Sequence, residues 1–201
     1  MKNDVLSRLL ALFGVLCCAA CTMPDPESGS GMSVSTSSGV VSAESGPEGS
    51  LVFRDIPFAQ PPEGAGRWAA PGRLETPEQV ISSKPEPVMC PQPQGMASGS
   101  AEGEYLGSED CLYLDIYAPG EATASDLPVM LWIHGGSNVT GHKGTYDFSR
   151  FAAREQVVVV TINYRLGPFG WFVHPALNGA DLKTSPLANF GTLDMVEALR
   201  W

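Results

Sequence analysis

Residues 131–141 read LWIHGGSNVTG. An apolar run stops at two adjacent glycines and continues in small polar residues. Taken from residue 128, PVMLWIHG is a continuous β-rich run, and VVVVTINY (157–164) is a second. Runs of this kind suit strands covered on both faces, as in a parallel sheet inside an α/β domain. Between them, YDFSRFAARE (146–155) has room for a short crossover helix. After them, TLDMVEALRW (192–201) sets Leu193, Val196 and Leu199 on one helical face. Before them, CLYLDIYAP (111–119) alternates Leu112, Leu114 and Ile116 against Tyr113, Asp115 and Tyr117, a strand with one apolar face. Strand, helix, strand, helix is the α/β pattern.

Two glycines behind a strand admit three readings. They let the backbone take positive φ and turn N–H groups toward a ligand with no side chain in the way. Such groups stabilise an oxyanion or hold a phosphate. The phosphate reading fails on spacing. A P-loop needs G-x-x-x-x-G-K-[ST], whereas GSNVTGHKGT (136–145) inserts His142 before Lys143 and Gly144 before Thr145. No G-x-G-x-x-G follows a strand either. A plain tight turn is the third reading, and the glycines alone do not choose between it and the oxyanion turn.

The chain has 201 residues, 43% hydrophobic and 17% charged, enough for one domain with its own core. Its formal charge of −10 argues against a nucleic-acid partner, which calls for a basic face. Lys2 and Arg8 precede the apolar run LLALFGVLCCAA (9–20), too short to span a bilayer as a mature helix. The run closes on CAAC (18–21), similar to the lipobox of bacterial lipoproteins, in which the last cysteine, here Cys21, is lipidated. A plain secretory signal is the other reading. Both predict an exported protein, the first anchored to a membrane through lipid at Cys21. Residues 1–20 then form the signal, and the Ser/Gly-rich residues 21–39 a tether. Residues 40–201 form the folded part.

Cys17, Cys18 and Cys21 belong to the export segment, leaving Cys90 and Cys111. In an oxidising compartment such a lone pair is a disulfide by default. Closing a loop of about 20 residues contributes roughly 3 kcal/mol. Two cysteines this far apart, without C-x-x-C or paired histidines, make no metal site. No cofactor is implied.

Five blocks occur in order: FRDIPFAQPPEGAGRWAAP (53–71), SEDCLYLDIYAP (108–119), LPVMLWIHGGSN (127–138), VVVVTINYRLGPFGW (157–171) and NFGTLDMVEALRW (189–201). Together they resemble the N-terminal part of type-B carboxylesterases, the α/β-hydrolase family of cholinesterases and para-nitrobenzyl esterases. The resemblance implies an α/β-hydrolase fold, here the N-terminal part of a central, mostly parallel sheet with flanking helices. It implies a serine esterase acting through an acyl-enzyme on a small carboxylic ester.

Carried over residue by residue, the resemblance makes the backbone of Gly136 and Ser137 the oxyanion-hole donors, with Gly135 permitting the turn. A third glycine is usual at Ser137. Cys90 and Cys111 fit the family's first disulfide. Arg67 with Glu109, and Arg165 with Asp194, fall where the family has buried ion pairs. Asp55 stands where a glycine is usual, Asp115 where an asparagine is, and Met195 where a glutamine is.

The reacting group is absent. The family's nucleophile lies in G-x-S-x-G on a strand-to-helix turn, and no such pattern occurs in the 201 residues. The resemblance places that elbow just after the ALRW helix, so the chain reads as a fragment that supplies the oxyanion turn but not the nucleophile, acid or base. His134, His142 and His174 are poor candidates for the base. His134 shapes the turn, and the other two lie in loops. Two other outcomes stay open on sequence: a binding or adhesion protein on a hydrolase scaffold, and a truncated, inactive product.

Overall fold

The glycine-terminated run forms a strand that pairs in parallel with the run 25 to 30 residues downstream, so both strands release their chains at the same edge of one sheet. This computed structural model describes residues 32–94, 105–120, 126–172, 174 and 189–201. Cys21, the export segment and most of the tether lie outside the described residues.

In chain order the strands are β1 (Ser33–Thr36), β2 (Gly39–Ser42), β3 (Glu44–Ser45), β4 (Ser50–Pro57), β5 (Val80–Ile81), β6 (Gln92–Pro93), β7 (Tyr105–Leu106), β8 (Tyr113–Pro119), β9 (Val129–Ile133) and β10 (Val158–Ile162). The α-helices are α1 (Ser149–Glu155), α2 (Gly167–Trp171) and α3 (Phe190–Arg200). The main sheet runs β3-β4-β8-β10-β9, and a smaller one runs β1-β2-β5. The tether is shorter than its composition suggests, because β1 lies inside it and pairs with β2.

Among the described residues only β9–β10 is parallel in the main sheet; β3–β4, β4–β8 and β8–β10 are antiparallel, so this part of the sheet is mixed, whereas the resemblance implies a mostly parallel one. Parallel pairing needs a crossover, and α1 supplies it between β9 and β10. Asp147 accepts hydrogen bonds from the backbone and hydroxyl of Ser149 at the start of α1. Gln156 closes the helix in a left-handed conformation, φ +52°. One face of the sheet packs Val52, Tyr117 and Val159 against Ala152 of α1. The other packs Ile56, Leu114 and Ile162 with Ala198 of α3. This is the layered α/β arrangement of the hydrolase reading.

Three sequence expectations need correction. β8 is covered on both faces: Tyr113, Asp115 and Tyr117 are as buried as Leu112 and Leu114. It sits between β4 and β10, so alternation there sorts aromatic from aliphatic layers. β9 lies at the sheet edge, with Val129 and Ile133 exposed. On α3 the buried positions are Phe190, Gly191, Asp194 and Ala198, while Leu199 is exposed. The helix is rotated because Asp194 turns inward to meet Arg165.

The Arg165–Asp194 pair is bidentate, Nε–Oδ2 2.8 Å and Nη2–Oδ1 2.7 Å, and the Arg165 backbone N–H adds a third bond at 3.0 Å. Both side chains are fully enclosed. Arg67 and Glu109 also form a bidentate pair, both bonds 2.6 Å. That pair is not buried, since the Arg67 side chain is 37% exposed. Cys90 and Cys111 are bonded, with Cα atoms 5.0 Å apart, and both are buried.

Asp194→Leu, which strands the Arg165 charge, is predicted to lower unfolding free energy by about 3–5 kcal/mol. Adding Arg165→Met should return much of that loss, because a matched apolar pair leaves no orphan charge. Arg67→Met, at a bidentate but partly exposed pair, should cost less than Asp194→Leu. Urea unfolding of the variants checks all three.

Candidate functional site

The site is the turn that leaves β9. Gly136, Ser137 and Asn138 have φ of +113°, +54° and +61°, three left-handed residues in succession. An L side chain in that region costs roughly 1–2 kcal/mol, so the surroundings must hold it there. The Gly136 carbonyl accepts from Val139 N–H at 2.9 Å and Thr140 N–H at 3.1 Å, closing the turn. A Cβ on Gly136 would lie 2.0 Å from the Thr140 carbonyl oxygen. Gly136 is therefore the glycine the turn requires. Gly135, read from sequence as permitting the turn, has open space where its Cβ would be, and its φ is not positive. Nothing among the described residues excludes a side chain there.

Residues 135–139 are exposed. The N–H groups of Gly136 and Ser137 have no hydrogen-bond acceptor among the described residues. Ser137 borders an open pocket of about 380 Å³, lined also by Asn138, Gly167, Trp171 and Phe172. Serine at position 137 takes the positive φ a glycine would take, so its N–H is presented without a glycine.

Three holds fix the turn. Asn138 O accepts from Gly167 N–H at 2.7 Å, tying the turn to α2. Gln92 clasps Gly141: Gly141 N–H donates to Gln92 Oε1 at 2.8 Å, and Gln92 Nε2 donates to Gly141 O at 3.0 Å. Lys143 N–H donates to Asn163 Oδ1 at 2.7 Å, and Asn163 Nδ2 donates to the carbonyls of Val88 and Cys111. The backbone around the disulfide thus supports the turn through Asn163 and Gln92.

His134 precedes the turn and is 3% exposed. Its ring stacks on Tyr164, centroids 4.3 Å apart and planes at 15°. Tyr164 OH donates to His134 O at 2.8 Å. His134 Nδ1 lies 2.9 Å from the Gly135 carbonyl, which assigns it the ring proton. Nε2 is buried with no partner among the described residues. Burial pushes its pKa down, opposed by the Gly135 bond, so the ring is neutral near pH 7. A Cβ on Gly141 would lie 2.3 Å from Nδ1, so this glycine is also required.

Among the described residues no hydrogen bond joins Ser137 Oγ to His134 or His142. His142 is half-buried, and its Nδ1 accepts from Gly144 N–H. His174 is exposed and stacks on Phe172. Among the described residues no group of three or more His, Cys, Asp or Glu could hold a metal ion. The sequence reading missed Gln92, Asn163 and Lys143. Lys143 entered it only as a misplaced P-loop lysine, and its signal lay in two unusual aspartates elsewhere in the chain.

Residues 31–201 match the model of the carboxylesterase family. The para-nitrobenzyl esterase of Bacillus subtilis (strain 168) is 41% identical over 151 residues, covering 74% of this chain and 30% of that protein. The human cocaine esterase is 42% identical over 165 residues, 76% of this chain and 28% of its own. Among solved structures, a thermophilic PNB esterase superposes with a TM-score of 0.71 at 38% identity, covering 85% of this chain and 34% of that one. A Geobacillus stearothermophilus carboxylesterase gives 0.65 at 34% identity. The chain spans about three tenths of the length of the curated relatives it matches.

The buried histidine predicts an acid-sensitive fold. His134 has a folded pKa below its unfolded value of about 6.5. As pH falls below that value the unfolded chain binds the extra proton and stability is lost. His142, lowered mainly by burial, adds in the same direction. The carboxylates of Glu48 and Asp147, held low by hydrogen bonds from Arg154 and Ser149, lose their contribution only below the ordinary carboxylate range. Asp194, whose carboxyl burial pushes up, acts in the opposite direction, so the histidine's share is read by difference: His134→Gln should make the melting temperature fall less between pH 7 and 5. Equal slopes in the two proteins would contradict the assignment.

Proposed function

The chain belongs to the carboxylesterase family, and from that premise we propose that it supplies the oxyanion hole of a serine carboxylic ester hydrolase. The observation that carries the reading is the left-handed turn at Gly136–Ser137, whose two backbone N–H groups have no acceptor among the described residues, with Ser137 bordering an open, aromatic-walled pocket. The nucleophile, acid and base belong to the remainder of a protein of the relatives' length, since no G-x-S-x-G occurs in these residues.

In this reading the serine hydroxyl attacks the ester carbonyl carbon, and a histidine takes the hydroxyl proton. The carbonyl electron pair moves onto oxygen, and the Gly136 and Ser137 N–H groups receive that charge. Collapse of the tetrahedral species expels the alcohol, which takes the proton back. Water then repeats the sequence on the acyl-enzyme. Fixed donors matter because they are already oriented when the charge appears, and one is worth about 2.7–4 kcal/mol. The wall of Trp171 and Phe172 favours an apolar group on the ester.

The protein acts outside the cytoplasm in this reading, anchored through lipid at Cys21. Support comes from the charged, then apolar N-terminus and from the Cys90–Cys111 disulfide, which suits an oxidising compartment.

Two experiments test these statements. In the full-length protein, Gly136→Ala should lower kcat on a nitrophenyl ester by about 10²–10³-fold while the fold persists by circular dichroism. An unchanged kcat would remove the turn from the mechanism. Labelled fatty acid should enter the exported protein and be absent from Cys21→Ser. Equal labelling, or none in either protein, would rule out the anchor.

A further inference from the structure

We propose that Lys143, clamped between Asp55 and Asp115, is a positioning residue that sets the far end of the oxyanion turn. The statement rests on the esterase reading for its consequence in catalysis, but not for the geometry. Lys143 Nζ lies 2.7 Å from Asp55 Oδ1 and 2.6 Å from Asp115 Oδ1. The three side chains are 6%, 7% and 1% exposed. Lys143 stands five residues beyond Asn138 and two beyond Gly141.

The aspartates are arranged to receive this ammonium. β4 has a bulge between Phe53 and Ile56, opposite Asp115 on β8. Asp55 occupies the bulge at φ +55°, a conformation glycine adopts without strain. Its N–H donates to Asp115 Oδ1 at 2.8 Å, and its Oδ2 accepts from Lys84 N–H at 2.8 Å. Arg54 stands 3.9 Å from Asp115 Oδ2 and balances the charge. Two of the three positions singled out in the sequence as departures, Asp55 and Asp115, therefore answer to one lysine just beyond the turn.

Stability alone gives no reason for this device. Burying ions carries several kcal/mol of desolvation each, and well-packed apolar replacements are often as stable. A bulge held in a left-handed conformation adds strain, and such strain persists where surrounding contacts over-determine it. What the cluster supplies is direction. It draws the chain after the turn down onto β4 and β8, while Gly167 holds Asn138 from the other side. The turn is stretched between two fixed points, with Gln92 gripping Gly141 between them.

The test uses two variants. Lys143→Met removes the ammonium. Asp55→Gly/Asp115→Asn/Lys143→Ala removes all three charges and the bulge strain, so the fold survives even if the single variant does not. The reporters are the bonded N–H groups of Val139, Thr140 and Gly141. Their hydrogen exchange should quicken at least about tenfold in the triple variant, while β8 and β10 keep their protection. In the full-length esterase, kcat of the triple variant should fall about tenfold or more with KM little changed, as misplacement of a catalytic group does. Unchanged exchange at these three positions overturns the proposal whatever the activity. Wild-type kcat in a triple variant with loosened exchange overturns its catalytic part. If the unsubstituted protein hydrolyses no ester, the esterase reading fails and the exchange measurement still decides whether Lys143 sets the turn.

Discussion

Parallel pairing of β9 with β10 is the constraint from which the site follows. Ile133 stands opposite Ile162, so the two chains leave the sheet side by side. One continues into His134 and the glycine turn, the other into Tyr164, Arg165 and α2. Their contacts are direct: Tyr164 stacks on His134 and donates to its carbonyl, and Gly167 donates to Asn138. Ligands of open α/β sheets gather at the carboxyl ends of strands, and here that edge carries backbone donors with no acceptor among the described residues. A one-residue slip of β9 would reverse its faces, moving His134 off Tyr164 and the turn off α2.

Charge is buried at both ends of this edge, with different consequences. Arg165 and Asp194 rotate α3 onto the sheet, and Arg165 also donates to the Arg67 carbonyl at 3.0 Å, drawing in the loop before it. Lys143 meets Asp55 and Asp115 on the opposite face, the side that α1 covers. The two clusters fix what lies above the sheet and what lies beneath the turn. Left-handed residues occur beside these contacts at Asp55 and at 136–138, and also away from them, at Glu48 and Gln156.

Much of this was legible in the chain. The β-rich runs 128–135 and 157–164 announced strands of a parallel sheet, and the lone cysteine pair announced its bond. Ordered motif blocks identified the family and paired Arg165 with Asp194. Other features depend on distance and were hidden. Alternation in β8 could not show that its aromatic face is covered too, because coverage depends on what packs above it. Leu193, Val196 and Leu199 share a helical face, but one buried carboxylate outweighed them in setting the rotation of α3. Two adjacent glycines looked equivalent until the Thr140 carbonyl distinguished Gly136 from Gly135. Lys143 lies 88 residues from Asp55 and 28 from Asp115, and local pattern cannot join residues at such separations.

The central claim is that the Gly136 and Ser137 N–H groups receive the charge that forms on the ester oxygen. A crystal structure of the full-length protein, inactivated by an organophosphonate that mimics the tetrahedral intermediate, measures this directly. The account predicts the phosphonyl oxygen about 2.7–3.1 Å from both backbone nitrogens, with the turn in the left-handed conformation described above. A phosphonyl oxygen bound elsewhere, with both N–H groups facing solvent, would contradict it.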